Sequence, residues 1–324
     1  MRIAIDAAPL GRTQAGTARY LQGLLGGLAR VPELFVRQLS FPRGASALGD
    51  LVWYPLALPL RARGFDVLHC PGIRAPLRSP VPLVATIHDV AVLRHPETFP
   101  RWSRTYSRVA LPLVVRAASR VIVDSEFTRG EVGELLGVRD DKVRVVPLAA
   151  TSEFSPEGAA ARGDYVLAVG TLEPRKNLRR LAEAARQAGV ELRVAGERGW
   201  GGVDVERDGV RWLGRVSDHE LASLYRGALC VAYPSLYEGF GLPVLEAMAC
   251  GTPVVTSAGG ALEELADGAA VLVDPRDSGA IAAGIEEAVS RRSELEARGL
   301  ERARQYSWEA TVAATVAIYA EAAA

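Results

Sequence analysis

Eleven short apolar runs, most of them separated by longer segments of helical spacing, constrain this chain more than any other feature. The first half reads RIAIDAA, VLHC, LVATIH, RVIVDS and VRVVP; the second reads YVLAVG, ELRVAG, VRWLG, CVAYPS, PVVTS and AVLVD. Each has the length of a strand, whereas NLRRLAEAARQAG and SDHELASLYRGA repeat their apolar positions every three or four residues. Strands joined by helical crossovers pair in parallel and are covered by helices on both faces. The stretch 150–164, ATSEFSPEGAAARGD, has no such pattern and reads as a linker between two sets. The expectation is therefore α/β: two doubly wound domains, residues 1–158 and 159–324, facing a central cleft. In that architecture ligands sit beyond the carboxyl ends of the strands, where loops enter helices.

At 324 residues and 49% hydrophobic content, the chain can bury a core in each domain. It has no run of 18 apolar residues, so no bilayer-spanning helix is expected. MRIAIDAAPLGR reads as a first strand and not as a signal peptide. Cys70, Cys230 and Cys250 fit neither a disulfide framework nor a zinc spacing. They read as small buried hydrophobes in a reduced compartment, and the expected location is cytoplasmic.

Charge is informative only when divided. Residues 1–158 hold 20 Lys and Arg against 14 Asp and Glu, while the remainder holds 18 against 24. Residues 50–120 alone carry ten Arg and four acids. A basic half beside an acidic half points to an anionic partner for the first domain, although arginine serving as the general solubilising cation explains it as well.

The stretch YPSLYEGFGLPVLEAMACGTPVVTS, residues 233–257, runs from strand through a Gly-rich turn into a helix and a second strand. Gly239 and Gly241 let backbone approach a ligand closely, and the helix starting near Leu242 offers free N–H groups to an anion. Glu238 lies before that turn and Glu246 one turn inside the helix, so both can face one concave site. Ionised carboxylates accept two hydroxyl protons at once, which suits the vicinal diols of sugars. An acid near a helix start is also favoured by the helix dipole, which accounts for Glu246 alone better than for the pair. In VGTLEPRKNLRRL, Arg175 and Lys176 follow a strand end and are placed to hold a diphosphate, with Asn177 as a helix cap. A solvated loop pair is the plainer reading, but Lys176 is one of only two lysines in the chain. VATIHDVAVLRHP puts His88 and Asp89 at a strand end, and RTQAGTARYLQGLL puts Gly16 at the entrance to the first helix.

Walker A, HExxH, GxSxG and Asp-x-Asp patterns are all absent from the sequence. Phosphates would be neutralised by protein groups, with no metal and no cofactor.

The combination of EGFGLPVLEAMACGTPVV, GTLEPRKN, HD and SEF resembles the retaining family-4 glycosyltransferases of GT-B architecture. The likeness runs from MRIAIDAAPL to QYSWEATVAATVAIYAEA, and is nearest to bacterial GDP-mannose-dependent mannosyltransferases of surface polysaccharide synthesis. The Glu-x7-Glu signature with its GFG turn is its most specific part; HD and SEF are weak alone. The resemblance implies two Rossmann-like domains, an acceptor domain followed by a nucleotide-sugar donor domain, with the last helix returning toward the first. It implies catalytic roles for His88, Lys176 and Glu238. Glu238 would touch hydroxyls of the transferred sugar, Glu246 the nucleotide ribose, and main chain at Gly239, Phe240, Gly241 and Leu242 the sugar and phosphates. Arg175 and Lys176 would hold the diphosphate, Gly16 would lie near it, His88 would lie beside the reacting carbon, and Val216 in LGRVSD would meet the base.

Two departures stand out. Thr171 occupies a place where many relatives have Arg, and Gly16-Thr17-Ala18 replaces the commoner Gly-x-Gly. Other readings are a UDP-sugar enzyme, a non-catalytic nucleotide-sugar-binding module, or a two-domain oxidoreductase, which lacks its fingerprint. The expected partners are a nucleotide sugar and a saccharide or lipid-linked acceptor, with no nucleic acid. HPETFPRWSRTYSRVALPLVVRAASR sets Arg101, Arg104 and Arg108 on one side of a helix that also bears Trp102 and Tyr106. That composition suits either a solvated face or peripheral contact with an anionic membrane at its inner face.

Overall fold

A computed structural model describes residues 1–11, 16–41, 52–202 and 210–324. The chain forms two compact units. The first comprises Met1–Leu93, Arg101–Leu148 and Trp308–Ala324; the second comprises Arg94–Pro100 and Ala149–Ser307.

The first unit is a parallel sheet of β1 (Arg2–Asp6), β2 (Phe35–Leu39), β3 (Val67–Cys70), β4 (Leu83–Thr86), β5 (Arg120–Val123) and β6 (Val143–Val145). Their spatial order is β2-β1-β3-β4-β5-β6, so the winding reverses between β1 and β3. β3 and β4 are buried along their whole length, as strands covered on both faces must be. β2 is the one strand that the apolar runs do not announce. It lies at the sheet edge, with Phe35 54% exposed, and its FVRQL sequence has no buried run to detect. The helix Gly16–Leu28 packs against the C-terminal helix Trp308–Ala323, which belongs to this unit. Arg120 and Arg144 both donate to Glu321 near its end, and His69 Nδ1 is hydrogen-bonded to the Tyr319 hydroxyl at 2.7 Å.

The second unit is a parallel sheet of β7 (Tyr165–Val169), β8 (Glu191–Ala195), β9 (Arg211–Gly214), β10 (Cys230–Tyr233), β11 (Val254–Ser257) and β12 (Val271–Val273). The order β12-β11-β10-β7-β8-β9 starts in the middle, winds outward through β8 and β9, then restarts at β10 on the other side of β7. This is the doubly wound order with its switch point between β7 and β10. Val166, Ala168, Val194, Ala232 and Val255 from the strands pack with Leu181, Ile281 and Ile285 from the helices Leu178–Gln187 and Ser278–Ser290. The stretch 150–164 is not a free linker. Phe154 meets Tyr225 edge-on, Arg226 donates to the carbonyls of Ser155 and Ala159, and Ala161 N donates to Ser223 O. The close approach depends on a glycine of the helix Asp218–Gly227: a Cβ at Gly227 would come within 2.0 Å of Ala161 O.

Two glycines in the helix Gly16–Leu28 have opposite environments. A Cβ at Gly23 would come within 2.1 Å of the Trp308 ring, whereas one at Gly26 would meet nothing within 4 Å. Gly26→Ala should stabilise the protein by about 0.5–1 kcal/mol through helix propensity alone. Gly23→Ala gains the same propensity but overpacks the helix pair, at a cost of about 1–3 kcal/mol. Chemical unfolding of both variants should place them on opposite sides of the parent; the reverse ordering would sink this packing scheme.

Candidate active site

The switch point of the second unit determines which loops meet. β7 and β10 are neighbours, with Cys230 opposite Val166, so the loops at their carboxyl ends emerge side by side. The first loop contains Glu173, Arg175 and Lys176; the second contains Glu238 and the Gly-rich turn. A backbone bond joins them, from Leu236 N to Arg175 O at 2.9 Å.

Their side chains form one buried ion cluster. Arg175 Nη1 donates to Glu238 Oε2 at 2.7 Å and to Tyr237 O at 2.7 Å, and Nη2 donates to Glu173 Oε1 at 2.7 Å. Lys176 Nζ donates to Glu238 Oε1 at 2.7 Å and to the Tyr233 hydroxyl, and lies 4.7 Å from the centre of that ring. Both oxygens of Glu238 are thus occupied by cations. Burial pushes the Glu238 carboxyl up, but Arg175 and Lys176 outweigh it and hold it at about 2. Burial lowers the Lys176 ammonium, and the Arg175 charge adds to this against the pull of Glu238. Glu238 is therefore an anion at any physiological pH, committed to its cations.

The backbone is shaped to allow this. Gly170 ends β7 with φ 145°, and a Cβ there would meet the Lys176 side chain at 3.2 Å. Pro174–Lys176 is a single 3-10 turn, after which Asn177 takes the left-handed conformation with φ 60°. The Asn177 side chain does not cap the helix Leu178–Gln187. It donates instead to Pro234 O at 3.0 Å and Pro275 O at 2.6 Å, which ties the cation loop to the loops after β10 and β12.

Gly239, Phe240 and Gly241 are buried and Leu242 is half-buried, where the helix Leu242–Ala249 begins. Gly241 has φ 112° and is packed against Leu262, so a side chain there is barred by both conformation and space. Pro243 in the first helical turn needs no N–H. Glu246 lies inside this helix at 1% exposure and accepts a hydrogen bond from the Tyr225 hydroxyl at 3.0 Å. Val216 is half-buried in the turn between β9 and the helix Asp218–Gly227, whose start is closed by a Ser217–Glu220 capping box.

In the first unit, His88 follows β4. Its Nδ1 is paired with Asp124 Oδ2 at 2.7 Å, and the Tyr20 ring stands edge-on at 4.8 Å. Burial alone would lower the His88 imidazole, but the Asp124 carboxylate beside it outweighs this and raises it. Its other nitrogen, Nε2, is buried without a hydrogen-bond partner among the described residues. Asp89 bonds locally to Ala91 N at 3.0 Å. Gly16 is the exposed first residue of its helix, with open space where a Cβ would be; residues 12–15 before it lie outside the described residues.

The second unit therefore brings Arg175, Lys176 and Glu238 into direct contact and sets Glu246 on a separate partner, while His88 and Gly16 belong to the first. Sequence reasoning overlooked Glu173, Tyr233, Tyr225 and Asp124. Asp124 follows β5 directly, and Tyr233 is the last residue of β10. The carboxyl-end rule that singled out His88 points to both.

Residues 16–152 match the family model described as Glycosyltransferase Family 4, and residues 151–306 match Glycosyl transferases group 1. The chain is 36% identical over 265 residues to O-antigen chain mannosyltransferase B of Escherichia coli, covering 73% of this chain and 69% of that protein. It is 31% identical over 296 residues to MMP alpha-(1->4)-mannosyltransferase of Mycolicibacterium hassiacum, covering 81% and 72% respectively. Sucrose-phosphate synthase from Thermosynechococcus elongatus superposes with a TM-score of 0.81 at 21% identity, over 99% of this chain and 98% of that one. Anabaena Alr3699/HepE, solved with UDP and glucose, superposes with a TM-score of 0.77 at 21% identity, over 98% and 99%. The two parallel six-stranded sheets share the GT-B fold of these structures. The chain belongs to the family-4 glycosyltransferases.

Proposed function

We propose that this glycosyltransferase moves mannose, with retention and without a metal ion, from GDP-mannose to a hydroxyl of a saccharide or lipid-linked acceptor. The observation that supports it best is the Glu238–Arg175–Lys176 cluster at the switch point, in a chain whose relatives include named mannosyltransferases. Arg175 and Lys176 hold the diphosphate, and Glu238 turns from its cations to the hydroxyls of the sugar. The N–H groups at Gly239 to Leu242 add neutral donors for sugar and phosphate. Glu246 takes the ribose and Val216 meets the base. His88, with Nδ1 fixed by Asp124, offers Nε2 toward the reacting carbon, and Gly16 serves the phosphates.

The reaction breaks the bond from the anomeric carbon to the diphosphate and forms one to the acceptor oxygen on the same face. The acceptor's proton passes to the leaving phosphate oxygen. No carboxylate acts as nucleophile in this scheme, because Glu238, once it leaves its two cations, is engaged by the hydroxyls of the sugar. Negative charge that grows on the diphosphate meets donors already in place, and fixed charge in a dry site stabilises it most.

Three outcomes are expected. In a thermal-shift panel of GDP-, UDP-, ADP- and TDP-sugars, GDP-mannose should raise the melting temperature most, since a ligand at a hundred times its Kd stabilises the native state by about 2.7 kcal/mol. A shift with UDP-sugars and none with GDP-sugars would transfer the protein to that donor class. Mannosyl transfer should also survive EDTA; strict dependence on a divalent ion would remove the metal-free scheme. Among variants, Lys176→Ala should lower kcat by about 10²-fold or more, because it acts on charge that develops during the reaction. Glu246→Ala should mainly raise KM for the donor, since a ribose contact is equal in ground and transition states. Wild-type kinetics in both would place the chemistry elsewhere.

A further inference from the structure

Two helical segments of the first unit expose apolar stripes, on one of which the Arg74 guanidinium lies 5.7 Å from the centre of the Tyr106 ring. In Arg101–Ala117, Ser107, Leu111, Val114 and Val115 are buried, and the opposite side shows Trp102 at 65%, Tyr106 at 40%, Val109 at 61% and Leu113 at 40% exposure. Their spacing of four, three and four residues sets them in one line along the helix. The second segment runs from Val52 through the π-helical turn Trp53–Ala57 to Leu58–Ala62. It buries Trp53, Tyr54, Leu58 and Ala62 and exposes Val52 at 53%, Leu56 at 59% and Leu60 at 56%. Its orientation is fixed from inside. Trp53 Nε1 donates to Asp6 Oδ1 at 3.1 Å, and the Tyr54 hydroxyl donates to Asp6 Oδ2 at 3.2 Å.

The topology puts both stripes on one face of the sheet. The connections β2 to β3 and β4 to β5 cross the sheet in the same direction, and right-handed crossovers in one direction lie on one side. Neither helical segment contains an Asp or a Glu, and between them they carry Arg61, Arg101, Arg104, Arg108 and Arg116. Carboxylates resume on the next helix, Glu126–Leu136, where Glu126 pairs with Arg129. Large apolar side chains exposed in line along a helix, unlike single scattered ones, point to an interaction surface.

The charge selects the occupant. A second copy docked about a two-fold axis would set the same acid-free arginines against themselves. An anionic headgroup surface pairs with the arginines while Trp, Tyr, Val and Leu enter the acyl boundary, and it needs no carboxylate in return. No helix among the described residues is long and apolar enough to cross a membrane, so the contact is with the surface.

We infer that Val52–Ala62 and Arg101–Ala117 together form a docking face for an anionic lipid bilayer. The inference does not depend on which nucleotide sugar is the donor. Flotation of the full chain with phosphatidylcholine vesicles, alone or mixed with phosphatidylglycerol, tests it. Binding should require the anionic lipid and fade with salt, and Arg101→Gln or Arg108→Gln should each weaken partition roughly fivefold. Trp102→Ser with Val109→Ser, or Leu56→Ser with Leu60→Ser, should abolish flotation while leaving melting temperature and transfer to a water-soluble acceptor unchanged. Binding to neither vesicle, equal salt-insensitive binding to both, or stripe variants that float like the parent would overturn the inference. Self-association without vesicles that the stripe variants abolish would assign the face to a second copy instead. Capture by heparin with no flotation would leave a polyanion site and no membrane contact.

Discussion

The buried ion cluster of Glu173, Arg175, Lys176 and Glu238 is the constraint on which the second unit's working end depends. Their side chains are 5%, 11%, 12% and 9% exposed, so each has left most of its hydration behind. Taking one ion out of water costs several kcal/mol, and only close opposite charge and further hydrogen bonds offset that. Two cations and two anions meet this demand with no net charge. Removing any one leaves an uncompensated buried charge, at about 3–5 kcal/mol. The loops after β7 and β10 are therefore held to each other, and Asn177 adds one more bond across the same join, to Pro234 O, and another to Pro275 O after β12. The same balance sets a condition on the proposed reaction. A diphosphate can enter only by sharing the cations, and Glu238 must then find hydroxyl donors in place of them. A nucleotide sugar brings both groups in one molecule, so one ligand meets both demands.

Much of this was readable because it rests on short-range pattern. All eleven apolar runs coincide with strands, and parallel pairing follows from the helices between them. The cluster was legible as separate parts: Arg175 and Lys176 after one strand, Glu238 after another. Its closure was not, since that depends on β10 being placed beside β7, 61 residues on from Val169 to Cys230. What stayed hidden has physical reasons. β2 lies at an edge and buries little, so it leaves no apolar signal. Asn177 looked like a cap by position, but its left-handed backbone turns the side chain to two carbonyls far along the chain. The stretch 150–164 looked like a linker because Gly and Ala lack periodicity. Gly158 within it and Gly227 facing it nevertheless let it lie against the helix Asp218–Gly227.

Glu238 and Glu246, which their spacing allows to face one site, are held in different ways: the first by two cations and the second by a tyrosine hydroxyl. Tyr225 itself is fully buried, wedged by Phe154 from the stretch 150–164. The residues that look least structured in sequence thus support the wall behind the second acid. A hydroxyl donor accepts replacement by another hydroxyl at little cost, whereas an ion pair does not. The ribose contact proposed for Glu246 accordingly exchanges one hydroxyl for another, and the role proposed for Glu238 requires a change of partners driven by charge.

The first unit contains a contrast that separates a structural histidine from a functional candidate. His69 and His88 both lie near strand ends, and Tyr20 stands edge-on to each, at 6.4 Å and 4.8 Å. His69 has both nitrogens engaged, by Tyr319 at 2.7 Å and Thr86 at 2.8 Å. Burial, reinforced by the charge of His88, lowers it to about 3, so it stays neutral at physiological pH and anchors the C-terminal helix. His88 has the Asp124 carboxylate at Nδ1, and its Nε2 has no hydrogen-bond partner among the described residues. Buried polar atoms without partners are rare because each one costs about 1–3 kcal/mol. A fold that satisfies His69 completely, 19 positions earlier, had the means to satisfy His88 as well. Nδ1 fixed by Asp124, with Nε2 unpartnered among the described residues, is what the role proposed for His88 requires, the missing partner arriving with the substrate.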